Sequence, residues 1–244
     1  MKIRGERECT ECGTRWSYYE TGSIDCPACG SLHSVGIDDR SEHTDQPVSF
    51  DLTSIRNAID DVPTDELADR TRDHCREFVR QRGFISGGSL RDLTDTYLVA
   101  AELHHVADII ARESSVALDE REELYFLSLL RDADTGTRPP ADEVPPPLRA
   151  ARGLAYANAI SAYRRDLRTW LDERDHDLTS PERAALETLG EHVTRVRMLD
   201  GDIEPEVADR LVEVTRDLAD GLRGRGAGNE DAVSRARDQL AELE

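Results

Sequence analysis

The chain has 244 residues, and its 51 Asp and Glu against 31 Lys and Arg give a formal charge of −20; Lys2 is the only lysine. That balance repels phosphate backbones and anionic membrane surfaces, and no apolar run approaches the roughly 20 residues needed to cross a bilayer. A soluble, cytoplasmic protein without a signal peptide is expected, of a size that suits one small module and one larger domain.

The first module is set by four cysteines, Cys9-Thr10-Glu11-Cys12 and, thirteen residues on, Cys26-Pro27-Ala28-Cys29. Paired C-x2-C elements at this separation hold one tetrahedral metal between two tight turns, and a set of four thiolates selects zinc. Gly13 and Gly30 follow the second cysteine of each pair, where a backbone bending round a metal needs positive φ. Trp16, Tyr18 and Tyr19 favour an extended strand and Thr21-Gly22-Ser23 a turn. The segment 1–36 therefore reads as a β zinc ribbon, a two-strand hairpin capped by both knuckles. So short a segment needs its metal to fold. Four thiolates close the coordination shell, so one Zn2+ with a structural role is expected. The ribbon then acts by presenting a surface, with Trp16, Tyr18 and Tyr19 as candidate partner-binding residues, or as rings that cover the hairpin.

Residues 37–50 are mostly polar and aperiodic and read as a linker. The segment 51–244 reads as an all-α helical bundle domain. A short helix carries Ile55 and Ile59; the next opens at Thr64 and sets Leu67, Thr71, His74 and Phe78 on one face. Within it Cys75 reads as a small buried thiol. A Ser86-Gly87-Gly88-Ser89 loop follows, with Ser89 read as the cap of a helix through Leu93, Tyr97, Ala101 and Ile109. Another helix spans Asp119 to Leu130. The stretch 134–147 holds five of the ten prolines and reads as a stiff connector. A long amphipathic helix runs from Leu148 to Arg174, then an αα-hairpin turns at Asp200-Gly201-Asp202 ahead of Pro205. Gly224, Gly226 and Gly228 read as a hinge before a last helix with Val233, Leu240 and Leu243.

Glu102-x-x-His105 and Glu173-x-x-His176 share the spacing of helix-bundle di-metal sites, although an acid-rich chain produces such pairs by chance and solvated faces are the expectation. The helix from Leu148 to Arg174 runs against the acidic trend, with six arginines against three acids. Of these, Arg164, Arg165 and Arg168 are candidate partner-binding residues that either meet an external anion or pair within the bundle.

The arginine-dominated acidic composition resembles that of haloarchaeal cytosolic proteins. Together with the run from Met1-Lys2-Ile3-Arg4-Gly5 through Cys9 into the knuckles, it resembles a haloarchaeal zinc-ribbon family of unknown function. The ribbon is also similar to those of archaeal transcription factors and RNA-polymerase subunits. The resemblance implies a context in transcription or translation. The resulting expectation is a non-catalytic adaptor whose ribbon docks on a partner, a protein before a nucleic acid. The alternatives are an enzyme with its site among the helices, or an oligomeric helical protein.

Overall fold

The computed structural model describes residues 1–112, 119–224 and 229–242. In chain order the strands are β1 (Lys2–Ile3), β2 (Glu6–Cys9), β3 (Arg15–Ser17), β4 (Ser34–Gly36), β5 (Ser41–Glu42), β6 (Ile85–Ser86) and β7 (Ser89–Leu90). The helices are α1 (Tyr18–Thr21), α2 (Thr53–Arg56), α3 (Thr64–Gln81), α4 (Asp95–Arg112), α5 (Glu120–Asp132), α6 (Arg149–Asp172), α7 (Ser180–Met198), α8 (Pro205–Leu222) and α9 (Asn229–Ala241). The architecture is thus small N-terminal antiparallel sheets bearing the cysteines, followed by a mostly helical chain. It divides into two compact units. One comprises Met1–Ser49, Arg80–Asp92 and Tyr163–His176; the other comprises Phe50–Val79, Leu93–Ala162 and Asp177–Glu244.

The first, the ribbon unit, is richer than a two-strand hairpin. Its central strand is β2, which precedes the first knuckle and pairs antiparallel with β3 on one side and β4 on the other. Tyr18 and Tyr19, expected in an extended strand, lie in the single helical turn α1. Tyr19 leaves the sheet there, donates its hydroxyl to Ile3 O at 3.2 Å and lays its ring over Gly5, where any side chain would collide with it. The expected linker is also structured: β5 pairs with β1, and His43 and Asp45 are buried. The Ser86–Ser89 loop is the turn of the β6–β7 hairpin. Ser89 therefore caps nothing, and the start of α4 is held by Thr94, whose hydroxyl accepts Tyr97 N–H at 3.3 Å. Asp166, near the C-terminal end of α6, ties these pieces together. It is 2% exposed and accepts the Thr44 hydroxyl at 2.7 Å and Phe84 N–H at 2.8 Å. Buried carboxylates are tolerated when so satisfied.

In the helical unit, Leu52, Leu67, Val99, Leu103, Phe126, Leu129 and Leu148 form one continuous core. Asp119 and Glu122 make a capping box at the start of α5, as Thr179 and Glu182 do for α7. The proline-rich stretch is three short 3-10 turns leading into α6. Where α6 meets the α7–α8 turn, a side chain at Gly153 would lie 2.1 Å from Gly201 O, so close backbone approach requires glycine there. The expected hinge at Gly224–Gly228 falls largely on 225–228, outside the described residues, as does Leu243.

Candidate metal centre and its surroundings

Each knuckle is built the same way. Cys9 N–H donates to Thr14 O and Gly13 N–H to Cys9 O; Cys26 N–H donates to Ser31 O and Gly30 N–H to Cys26 O. Gly13 and Gly30 have φ of +73° and +71°, so the turn closes where an L side chain would be strained. The two turns face each other with all four Sγ atoms within 4.8 Å. Cys9 and Cys29 are 3.7 Å apart, Cys12 and Cys26 3.5 Å. A tetrahedron with metal–sulfur bonds of ~2.3 Å has edges of about 3.8 Å, so the donor set fits one four-coordinate metal ion.

Cys9 and Cys26 are buried and Cys12 and Cys29 exposed. The thiols differ in acidity. Hydrogen bonding from the Thr14 side chain and backbone pulls Cys12 down to about 6. Cys29 has a Ser31 backbone bond that favours its thiolate, yet it is pushed up to about 12 by the sulfurs of Cys12 and Cys26. Crowded thiols resist losing successive protons, and a bound dication removes that resistance.

Trp16 is not presented outward. At 7% exposure it packs with Cys9 and Cys26 behind the metal site and donates Nε1–H to Ser23 O at 3.0 Å. Tyr18 and Tyr19 are half-buried, both rings against His43. Apart from Met1, the large apolar side chains that the ribbon exposes are aliphatic: Ile24, Leu32, Val35 and Ile37 are 48%, 65%, 50% and 44% exposed. Val35 and Ile37, two residues apart at β4, share a face. Ser34 brings Ile24 beside that strand by donating its hydroxyl to Ile24 O at 3.1 Å. Chain reading missed these residues because no local signal separates an exposed Ile from a core one; their position between and after the knuckles, in a segment too small for a core of its own, was the available clue.

Arg164, Arg165 and Arg168 belong to the same unit as the ribbon. Arg165 and Arg168 are exposed and Arg164 is half-buried, and Arg165 Nε lies 3.5 Å from Asp166. The ribbon unit holds twelve basic against fourteen acidic side chains, so it carries −2 of the chain's −20.

Glu102 has no metal-ligand geometry with His105. Wholly buried, it accepts Arg152 Nε at 2.9 Å, Tyr156 Oη at 2.9 Å and the Tyr125 hydroxyl. Arg152, another of the six arginines on that helix, is also wholly buried; it reaches Pro139 O at 2.7 Å and Asp209 at 3.4 Å. Glu173 pairs with Lys2 at 2.6 Å. Among the described residues the four cysteines are the one cluster with metal-ligand geometry. Cys75 is wholly buried, which pushes its thiol far above the ordinary range. No described helix is long and apolar enough to cross a membrane.

Sheet, knuckles and four converging sulfurs define a ribbon-type metal-site protein with an appended helical unit. Residues 1–240 match the family of unknown function DUF7117, and the chain belongs to that family. Neither the curated proteins nor the solved structures compared with the chain match it.

Proposed function

We propose that the chain is a non-catalytic zinc-binding adaptor whose ribbon docks on a protein partner. The observation that carries this reading is the apolar exposure of the ribbon. Four of the eight exposed large apolar side chains among the described residues, Ile24, Leu32, Val35 and Ile37, fall within fourteen residues of chain. Clustered apolar exposure marks interaction surfaces. Zinc is the metal because four thiolates suit a borderline-soft ion and leave no position for water, so the ion serves the fold. A protein partner is favoured over nucleic acid because even the ribbon unit is weakly acidic and a zinc tetrathiolate adds −2. The arginine-rich, acidic composition is that of a haloarchaeal cytoplasm. At about 1 M salt the Debye length is only about 3 Å, so apolar contact outlasts charge steering. Attachment to transcription or translation machinery follows from ribbon analogy alone.

The test is co-purification of the tagged chain from a high-salt host, beside Cys26→Ser and a Leu32→Glu/Val35→Glu double variant, with metal content measured. One zinc per chain and a defined protein lost with both variants support the reading. A partner retained by the folded double variant overturns the docking face; co-purifying RNA in place of protein overturns the partner class.

A further inference from the structure

Of the other exposed large apolar side chains among the described residues, three belong to the helical unit: Leu124, Met198 and Leu199, at 57%, 81% and 46%. Met198 and Leu199 owe their exposure to the way α7 ends. Asp200 and Gly201 take φ of +50° and +82°, and Gly201 N–H closes on Val196 O at 2.9 Å. That turn keeps Val196 in the core and leaves Met198 and Leu199 as an apolar tip. Leu124 lines a groove of about 480 Å³ between α5 and the proline-rich stretch, together with Tyr125, Val144, Pro145 and Pro146. A recess of that size and lining accepts anchoring apolar side chains.

Tip and groove are neighbours. Arg149 lines the groove and pairs with Glu204, just beyond the tip, at 2.9 Å. A side chain on Gly201 would lie 2.3 Å from Ala150 O, so the tip rests against the first turn of α6. The charges of the two halves also match. Arg121, Asp142 and Glu143 line the groove, and Arg195, Asp200 and Asp202 flank the tip. All six are exposed, and none makes an ion pair among the described residues.

We propose that this surface pairs the protein with a second copy of itself, the tip of each chain seated in the groove of the other. A tip and a groove side by side exchange places under a half-turn, so the contact closes as a two-fold dimer instead of growing into a filament. A second copy carries the complement of both halves at the right spacing by construction. Met198 and Leu199 meet Leu124 and the prolines. Arg121 meets Asp200 and Asp202, and Arg195 meets Asp142 and Glu143, pairings that fix the register more than they add affinity. With a formal charge of −20 the chain repels its copy in dilute salt. The dimer therefore belongs to high salt, where the Debye length falls to about 3 Å at 1 M and contact interactions decide.

The test is sedimentation equilibrium of the full-length, metal-loaded chain at about 2 M KCl, where long-range repulsion is screened. Wild type is expected at twice the chain mass. A tip variant, Met198→Ser/Leu199→Ser, and a groove variant, Leu124→Ser, alter only exposed side chains; each stays folded by circular dichroism and dimerises at least tenfold more weakly. An equimolar mixture of the two variants keeps one intact tip and one intact groove, so it dimerises more tightly than either variant alone. A wild-type chain of single mass overturns the proposal, as does a dimer that both variants leave unchanged. A mass above two chains overturns the two-fold closure, and a mixture no tighter than its components overturns the pairing of tip with groove.

Discussion

Thr44 donates its hydroxyl to Asp166, a residue 122 positions further along the chain, at 2.7 Å. The same oxygen of Asp166 accepts Phe84 N–H, so one carboxylate joins the three chain segments of the ribbon unit. Asp166→Ala strands a buried N–H and a hydroxyl, and each unsatisfied group costs about 1–3 kcal/mol. The expected loss is about 2–4 kcal/mol in urea denaturation. Asp166→Asn, which keeps one acceptor, is expected to lose less. Equal stability of Asp166→Ala and wild type contradicts this account.

The knuckle glycines give a prediction free of packing effects. A side chain at Gly13 or Gly30 meets no atom within 4 Å, so alanine is penalised only through its positive φ, by about 1–2 kcal/mol. Each substitution is expected to weaken metal binding by about tenfold without displacing a ligand, and Gly13→Ala/Gly30→Ala by about the product. A chelator competition reads this directly; unchanged competition refutes it.

For the buried Glu102–Arg152 pair, breaking one side is expected to cost more than removing both. Glu102→Gln or Arg152→Met leaves a charge without its partner in the core, at about 3–5 kcal/mol. The double variant Glu102→Gln/Arg152→Met should be more stable than the sum of the single losses. A double-mutant cycle in urea measures the coupling, and simple additivity would falsify the assignment.

Stability should fall on mild acidification. Burial, with His104 adding to it, lowers His105 to about 4, and His43 and His104 are lowered as well, chiefly by burial. A depressed histidine favours the neutral folded form, so the unfolded chain binds more protons below its own value near 6.5. The His105 contribution is whole above that value, declines from about pH 6.5 to about 4 and is flat below. Over that window it is worth about 3 kcal/mol. His105→Leu should shallow the slope of stability against pH; an unchanged slope assigns the effect elsewhere.

How much of this was legible depended on whether the cause was local. The metal ligands are set by spacing within four residues, and the chain displays them openly. The α7–α8 hairpin follows from periodicity with Gly201 and Pro205 at its turn. Tyr18 and Tyr19 were misleading because strand propensity yields to packing: Tyr19 finds Gly5 and His43 by turning out of the sheet. Residues 37–50 resembled a linker because their order comes from β1, and from Ile85, whose carbonyl accepts Thr44 and Asp45 N–H. Glu102 carried a metal-like spacing to His105, yet its real partner is Arg152, 50 positions away. No window along the chain contains that pair.

The ribbon unit is assembled from three separated stretches, the last ending at His176. On the ribosome the cysteines emerge first, but the carboxylate that closes their unit arrives only after more than 160 residues have been made. Domains usually complete from the N-terminus as they are synthesised. Here the beginning of the chain must wait for its middle, leaving newly made knuckles to hold a metal, or meet a chaperone, before their surroundings exist.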